Sequence, residues 1–220
     1  MSKHYRIFEH RRVAVLLTFI SGFLDGFSYL TQGGHFVGMQ TGNLIMATVH
    51  LADGKLAVAS TYLPPILAFL LGQVIHHFLR EELMQRHIHW HRFNALLILL
   101  LTFVTAVRTP YVTSNVTVSL LSFVSSLQLS TFTKVRGLAY ANMMMTGNLK
   151  RLALLLTKGI SQKNKDLLTQ ASHIFFAIIS FALGVYLAAV LSKSYHEYAL
   201  YAVLLPLIAV NVILYFERVE

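Results

Sequence analysis

The chain has 220 residues, of which 55% are hydrophobic and only 12% charged; it has no cysteine and a net charge of +9. The charged share is about half that of a soluble domain, and the missing cysteines exclude disulfides, thiolate metal sites and cysteine nucleophiles while leaving the redox compartment open. In so apolar a chain the excess Lys and Arg fit cytoplasmic loops and anionic headgroups, and with no basic soluble domain, nucleic acid is not an expected partner.

Residues 1–12, "MSKHYRIFEHRR", form a basic amphipathic lead-in. Val13 to Leu30 is a first apolar run; it contains Asp25 and has no small-residue cleavage site, unlike a signal peptide. "TQGGHFVG" breaks it, and "MQTGNLIMATVHLADG" follows, ending at Asp53-Gly54, a turn signal. A helix from Thr41 to Ala52 would be about 18 Å long, half a bilayer. Tyr62 to Leu79 is the next run and opens on Pro64-Pro65, which suit a first helical turn. The charged loop "REELMQRHIHWHR" leads to Phe93–Val107, then "RTPYVTSN" turns into Val112 to Thr133, apolar but laced with Ser and Thr. "KVRG" interrupts before "LAYANMMMTGNLKRLALLLTKG", whose candidate helix, Thr146 to Lys158, is again short. After the polar loop "ISQKNKD", Ala171–Leu191 and Tyr198–Phe216 complete the set. The runs from Val13, Tyr62, Phe93, Ala171 and Tyr198 are each about long enough, with tilt or flanks, to cross a hydrocarbon core of roughly 30 Å.

"MQTGNL" at residue 39 returns as "MMTGNL" at residue 144, 105 positions later. "LLTFISGFLDGFSYL" aligns with "LLSFVSSLQLSTFTK" before the motif, and "FLLG" (69–72) with "FALG" (181–184) after it. Each half reads as long span, short Thr-Gly-Asn-Leu segment, long span, long span, which is the order expected of a duplication. The expectation is a single all-α membrane domain over 1–220, with repeats at about 13–108 and 112–216.

Charge chooses between topologies. If every segment crosses, giving eight spans, the positive-inside bias is weak. If both short segments enter and leave on one side, six full spans remain. Lys3, Arg6, Arg11, Arg12, Arg80, Arg86, Arg92, Lys134, Arg136, Lys150, Arg151, Lys158, Lys163, Lys165 and Arg218 then fall inside, against Lys55, Arg108 and Lys193 outside, a split of 15 to 3, or 13 to 3 without Lys150 and Arg151 in the second short segment. That is the expected sign of asymmetry. Three crossings would separate the two short segments, so the second half is inverted, as in transporters and some channels.

The motif chemistry supports a polar site. Thr41 and Thr146 are candidate N-caps, Gly42 and Gly147 permit unusual backbone angles or close approach, and Asn43 and Asn148 both donate and accept. Two helix N-termini near mid-membrane would favour anionic or carbonyl-bearing groups. The same residues could instead only cap and lock the two short helices. Asp25, the one acidic residue in an apolar run, is a functional candidate by its cost alone, or else a pin holding the first span to a motif loop. Gln128 occupies roughly its place in the second half. The Ser/Thr face of 112–133 suits close helix packing or a path lining. His87, His89 and His91 alternate in a loop, which is not a zinc signature, so no metal and no cofactor is expected. Trp90 suits a headgroup anchor. No Gly-x-Ser-x-Gly, HExxH, P-loop or Rossmann fingerprint appears, so an enzyme is not expected, nor ATP-driven pumping by this chain alone.

"SGFLDGFSYL" followed by "GHFVGMQTGNL", with a second "MTGNL" later, resembles the YoaK family of bacterial membrane proteins, over nearly the whole chain. That family has no established substrate. The resemblance implies a multi-pass bacterial inner-membrane protein of about six spans. In the second half the family pattern carries Gln-Asn-Ala after a small residue; here Leu129-Ser130 follow Gln128. The combined expectation is a small secondary transporter or channel for a small solute, anionic ones included, bound by Asp25, Thr41, Gly42, Asn43, Gln128, Thr146, Gly147 and Asn148, with both termini cytoplasmic. Its partners would be the bilayer and the solute, with homo-oligomerisation left open. The alternative is a non-transporting scaffold or accessory subunit.

Overall fold

A computed structural model describes residues 6–216; Lys3 and Arg218, counted above as cytoplasmic, lie outside these residues. The described chain is almost wholly helical. Its helices are α1 (Arg11–Thr31), α2 (Gln40–Ala52), α3 (Leu56–Ser60), α4 (Leu63–Gln85), α5 (Trp90–Arg108), α6 (Ser114–Thr131), α7 (Met145–Ser161), α8 (Lys165–Tyr195) and α9 (Leu204–Tyr215). Between α6 and α7 lies a two-stranded hairpin, β1 (Lys134–Val135) and β2 (Leu138–Ala139), whose turn residues Arg136 and Gly137 both have positive φ, the geometry of a tight hairpin turn.

The expected boundaries moved where local chemistry was stronger than hydropathy. Arg80 to Gln85, expected as loop, continue α4; Arg86 and Glu82 pair one turn apart, a helical contact. Helix α8 starts at Lys165, inside the expected polar loop, because the Asn164 side chain accepts from the Asp166 and Leu167 amides, an N-cap. The last run is not one helix: α8 stops at His196, φ 50°, and residues 196–203 are 3-10 before α9 begins.

Four stretches are long and apolar enough to cross a membrane: Arg11–Thr31, Leu56–Gln85, Trp90–Tyr111 and Lys165–Tyr215. The last has 51 residues and holds both α8 and α9. Helix α6 is not among the four: ten of its residues are buried, six of them Ser, Thr or Gln, so it packs as a central helix.

The helices pair by exchange between the halves. Helix α1 packs chiefly on α8, and α4 chiefly on α6. Glycine sets both contacts. A Cβ on Gly184 would strike the Phe19 carbonyl, and one on Gly22 the Phe181 carbonyl; one on Gly72 would lie 2.9 Å from the Phe123 carbonyl. Phe19 and Phe123 align in the sequence, as do Gly184 and Gly72. Each half thus lends its "FxLG" glycine to the same carbonyl of the other half. Large apolar side chains, among them Phe23, Phe27, Leu121, Leu127 and Leu207, fill the core between these pairs.

Long-range bonds gather specific chain ends. Glu9 accepts from the Arg136 amide through its carbonyl (2.7 Å) and from the Gly137 amide through its carboxylate (2.9 Å). Phe8 stacks on His91 at 3.5 Å, and Arg92 Nε donates to the Leu214 carbonyl (2.9 Å). The starts of α1 and α5 and the ends of α6 and α9 therefore lie at one end of the molecule. Elsewhere, a His35 ring nitrogen, just past α1, meets Thr61 Oγ1, just before α4, at 3.1 Å.

Candidate functional site

The two Thr-Gly-Asn segments begin alike. Each follows an extended approach loop, and each helix starts after a methionine in the same uncommon backbone conformation: Met39 (φ −88°, ψ 70°) before α2 and Met144 (φ −101°, ψ 81°) before α7. The N-caps are thus these methionines, neither with a side-chain cap bond. Thr41 and Thr146 are not caps; they lie in the first helical turn and are exposed. Gly42 and Gly147 are ordinary helical residues, absent from the positive-φ glycines. Gly42 makes room for Phe36 and Met39, whose atoms would lie 2.8 Å from an added Cβ; around Gly147 there is nothing within 4 Å.

Asparagine is what the motif depends on. Asn43 Nδ2 donates to the Phe36 carbonyl (2.7 Å) and its Oδ1 accepts from the Phe36 amide (2.8 Å). Asn148 does the same to Ala141, at 2.7 and 3.4 Å. Both span seven residues, and Phe36 and Ala141 are themselves 105 apart. The carboxamide pairs with a peptide group as a neighbouring strand would, satisfying approach-loop groups that are costly to bury unpaired. The third bond also repeats by position: Asn43 Nδ2 reaches Gln40 Oε1 (2.9 Å), and Asn148 Nδ2 reaches Met145 Sδ (3.8 Å).

Asp25 and Gln128 hold the two approach loops. Asp25 Oδ1 accepts from the amides of Val37 (2.9 Å) and Gly38 (2.7 Å). Its contact is with the loop entering the motif rather than with the Thr41-Gly42-Asn43 turn. Gln128 Nε2 donates to the Leu17 carbonyl (3.1 Å), Ser21 Oγ (2.9 Å) and Asn142 Oδ1 (3.4 Å). Asn142 stands 105 positions after Val37, so the carboxylate and the amide grip matching places. Asn142 also donates to the Phe132 carbonyl (3.0 Å). The sequence reading missed Asn142 and Gln40; aligning the approach loops at the 105-residue offset would have exposed Asn142.

The loops meet. A Cβ on Gly38 would lie 3.1 Å from Met143 Sδ, 3.4 Å from Met143 Cβ and 3.2 Å from Asp25 Oδ2. Gly38 and Met143 are again 105 apart, so each segment touches the other at its equivalent residue. Asp25, Asn43, Gln128 and Asn148 are buried and bonded to protein, while Thr41, Thr146 and Gly147 are exposed. Several first-turn amides of α2 are also taken: Gln40 N bonds Gly38 O, and Gly42 N and Asn43 N bond Met39 O. Among the described residues no three His, Asp or Glu side chains could hold a metal ion; His91 stacks on Phe8, while His89 caps α5.

A family model described as a protein of unknown function, DUF1275, matches residues 13–213. No curated protein and no solved structure matches the chain.

Proposed function

The chain belongs to the DUF1275 family, and we propose that it is a six-span secondary transporter or channel for a small solute, built from two inverted repeats in a bacterial inner membrane. The observation that carries this reading is the Gly38–Met143 contact between two equivalent approach loops, each leading into a short helix. Paired short helices meeting inside an inverted repeat are how transporters build a mid-membrane site.

Contact parity supports the topology. His35 bonds Thr61, so α2, which lies between them, adds no crossing. Glu9 bonds Gly137; α1, α4, α5 and α6 intervene as four crossings, an even number, only if α2 does not span. Arg92 bonds Leu214, and the same count over α5, α6, α8 and α9 is even only if α7 does not span. Three crossings then separate α2 from α7, which enter from opposite faces. The end holding Arg11, Arg92 and Arg136 is the cytoplasmic one by charge. Irregular approach loops at membrane depth are tolerated because protein covers them.

A second reading has its own observation. Asp25, Asn43, Gln128 and Asn148 all spend their polar groups on the fold, as in a non-transporting scaffold whose motif is a lock. Flux decides between them. Stopped-flow swelling of liposomes holding the purified protein, under gradients of glycerol, xylitol, acetamide, lactate and alanine, is compared with empty liposomes. Transport predicts entry of at least one solute several-fold faster than background. Rates equal to empty liposomes across the panel leave the scaffold.

A further inference from the structure

The two exchanged helix pairs are not chemically alike. Where α1 meets α8, Gly22 packs on the Phe181 backbone and Gly26 on Val185 and Ala188. By the alignments that match Phe19 with Phe123 and Gly184 with Gly72, the other pair carries Ser126 and Ser130 in place of Gly22 and Gly26, and Gln73 and His76 in place of Val185 and Ala188. There Gln73 Nε2 donates to the Ser126 carbonyl (3.1 Å) and Ser130 Oγ donates to Gln73 Oε1 (2.5 Å). At these matched positions the α1–α8 pair is apolar, although Ser180 Oγ donates to the Val15 carbonyl (2.7 Å) elsewhere along it, while the α4–α6 pair is polar.

Beside that polar interface lie three buried atoms without a protein partner: His76 Nε2, Trp90 Nε1 and Asn94 Oδ1. Their residues are 7%, 5% and 0% exposed. The His76 and Trp90 rings meet edge to face at 5.1 Å. Trp90 and Asn94 are four apart on α5, hence on one helix face. The Asn94 orientation is fixed, since its Nδ2 must serve two acceptors, the Leu127 carbonyl (3.2 Å) and Thr131 Oγ1 (2.5 Å); Oδ1 therefore points elsewhere. Unpaired polar atoms are costly in a buried site, and none of these three sits in the junction already described.

We propose that His76, Trp90 and Asn94 form a second site, buried at the end of the bundle where α5 begins, that binds a small neutral solute carrying both a hydrogen-bond donor and an acceptor, such as an amide or a polyol. The indole N–H can only donate and the Asn94 oxygen can only accept, while an imidazole nitrogen does either. A solute with both functions satisfies all three atoms. A bare carboxylate leaves Asn94 Oδ1 unpaired, and a quaternary ammonium satisfies none. The site deepens the transport reading by naming a solute class, but binding is testable without flux.

Trp90 is the only tryptophan in the chain, so fluorescence of the purified full-length protein, excited where tyrosine does not absorb, reports this site alone. Titrations use acetamide and glycerol as matching probes, with acetate and tetramethylammonium as mismatched ones. The site predicts a saturable change in emission with the first two only. Apparent affinity should fall at least about tenfold in Asn94→Leu and in His76→Ala, because each removes a polar partner the ligand needs. His76→Ala is the safer variant, since the mirror interface already carries Ala188. A response that is linear, alike for all four probes, or unchanged in His76→Ala overturns the site. Saturable binding without liposome flux keeps the site and sinks transport; flux without any Trp90 response does the reverse.

Discussion

At the residue scale the repeated motif reduces to its asparagine. Thr41 and Thr146 were natural candidates for caps, but an N-cap is defined by backbone angles the sequence does not display, and the methionines took that position. The asparagine was legible as a donor and acceptor; its partner seven residues upstream was not, because a loop's return path depends on the whole fold. Asn43→Asp removes the Nδ2 donor from Phe36 and Gln40 and should cost about 1–3 kcal/mol, seen as a lower Tm in detergent. Asn148→Asp loses an equal 2.7 Å bond to the Ala141 carbonyl but only a long contact to Met145 Sδ in place of the Gln40 bond, so it should cost less. Equal losses would contradict this ranking. For Asp25, a carboxylate inside an apolar run was plain in the sequence, and its neighbourhood to the first motif followed from chain direction. Asp25→Asn keeps an oxygen that can accept from Val37 and Gly38 and should fold, whereas Asp25→Ala strands two buried amides at about 1–3 kcal/mol each. If Asp25→Asn destabilises as much as Asp25→Ala, the charge matters beyond these two bonds.

At the element scale, the short helices α2 and α7 were readable because the Thr-Gly-Asn-Leu motif that opens them recurs 105 positions later in the sequence. Helix ends were not: capping by Asn164 and the break at His196 are local backbone events inside hydropathy runs. Nor could hydropathy rank α6, whose Ser and Thr reflect close packing. The glycine contacts distinguish the elements sharply. Gly184→Leu, pressed onto the Phe19 backbone, should cost at least about 2 kcal/mol by forcing α1 from α8. Gly147→Ala meets no atom and should be neutral or stabilising by up to about 1 kcal/mol through helix propensity, so that Tm holds or rises. The meeting of the two approach loops has its own test. In this cysteine-free chain, Gly38→Cys with Met143→Cys places the two Cβ atoms about 3.4 Å apart, close to disulfide spacing. Rapid oxidative cross-linking is expected, detected by a cleavage site engineered between the halves. A pair that stays reduced under mild oxidant denies the junction.

At the scale of the whole molecule, two independent features support the proposed topology. Charge asymmetry came from sequence alone, and contact parity came from bonds such as Glu9 to Gly137 and Arg92 to Leu214. Both lead to the proposed six crossings with α2 and α7 returning to the faces they left. The exchange of helix partners between halves was not legible, since it needs the glycine contacts in space. The most direct measurement is membrane-impermeant thiol labelling of single cysteines in intact cells and inverted vesicles. Residues 57 and 162 are exposed and follow the two short helices. The proposed topology predicts that Ala57→Cys labels only from outside and Gln162→Cys only from the cytoplasm. Labelling of position 57 from the cytoplasm alone would mean that α2 crosses the membrane, and the inverted-repeat account would fall with it.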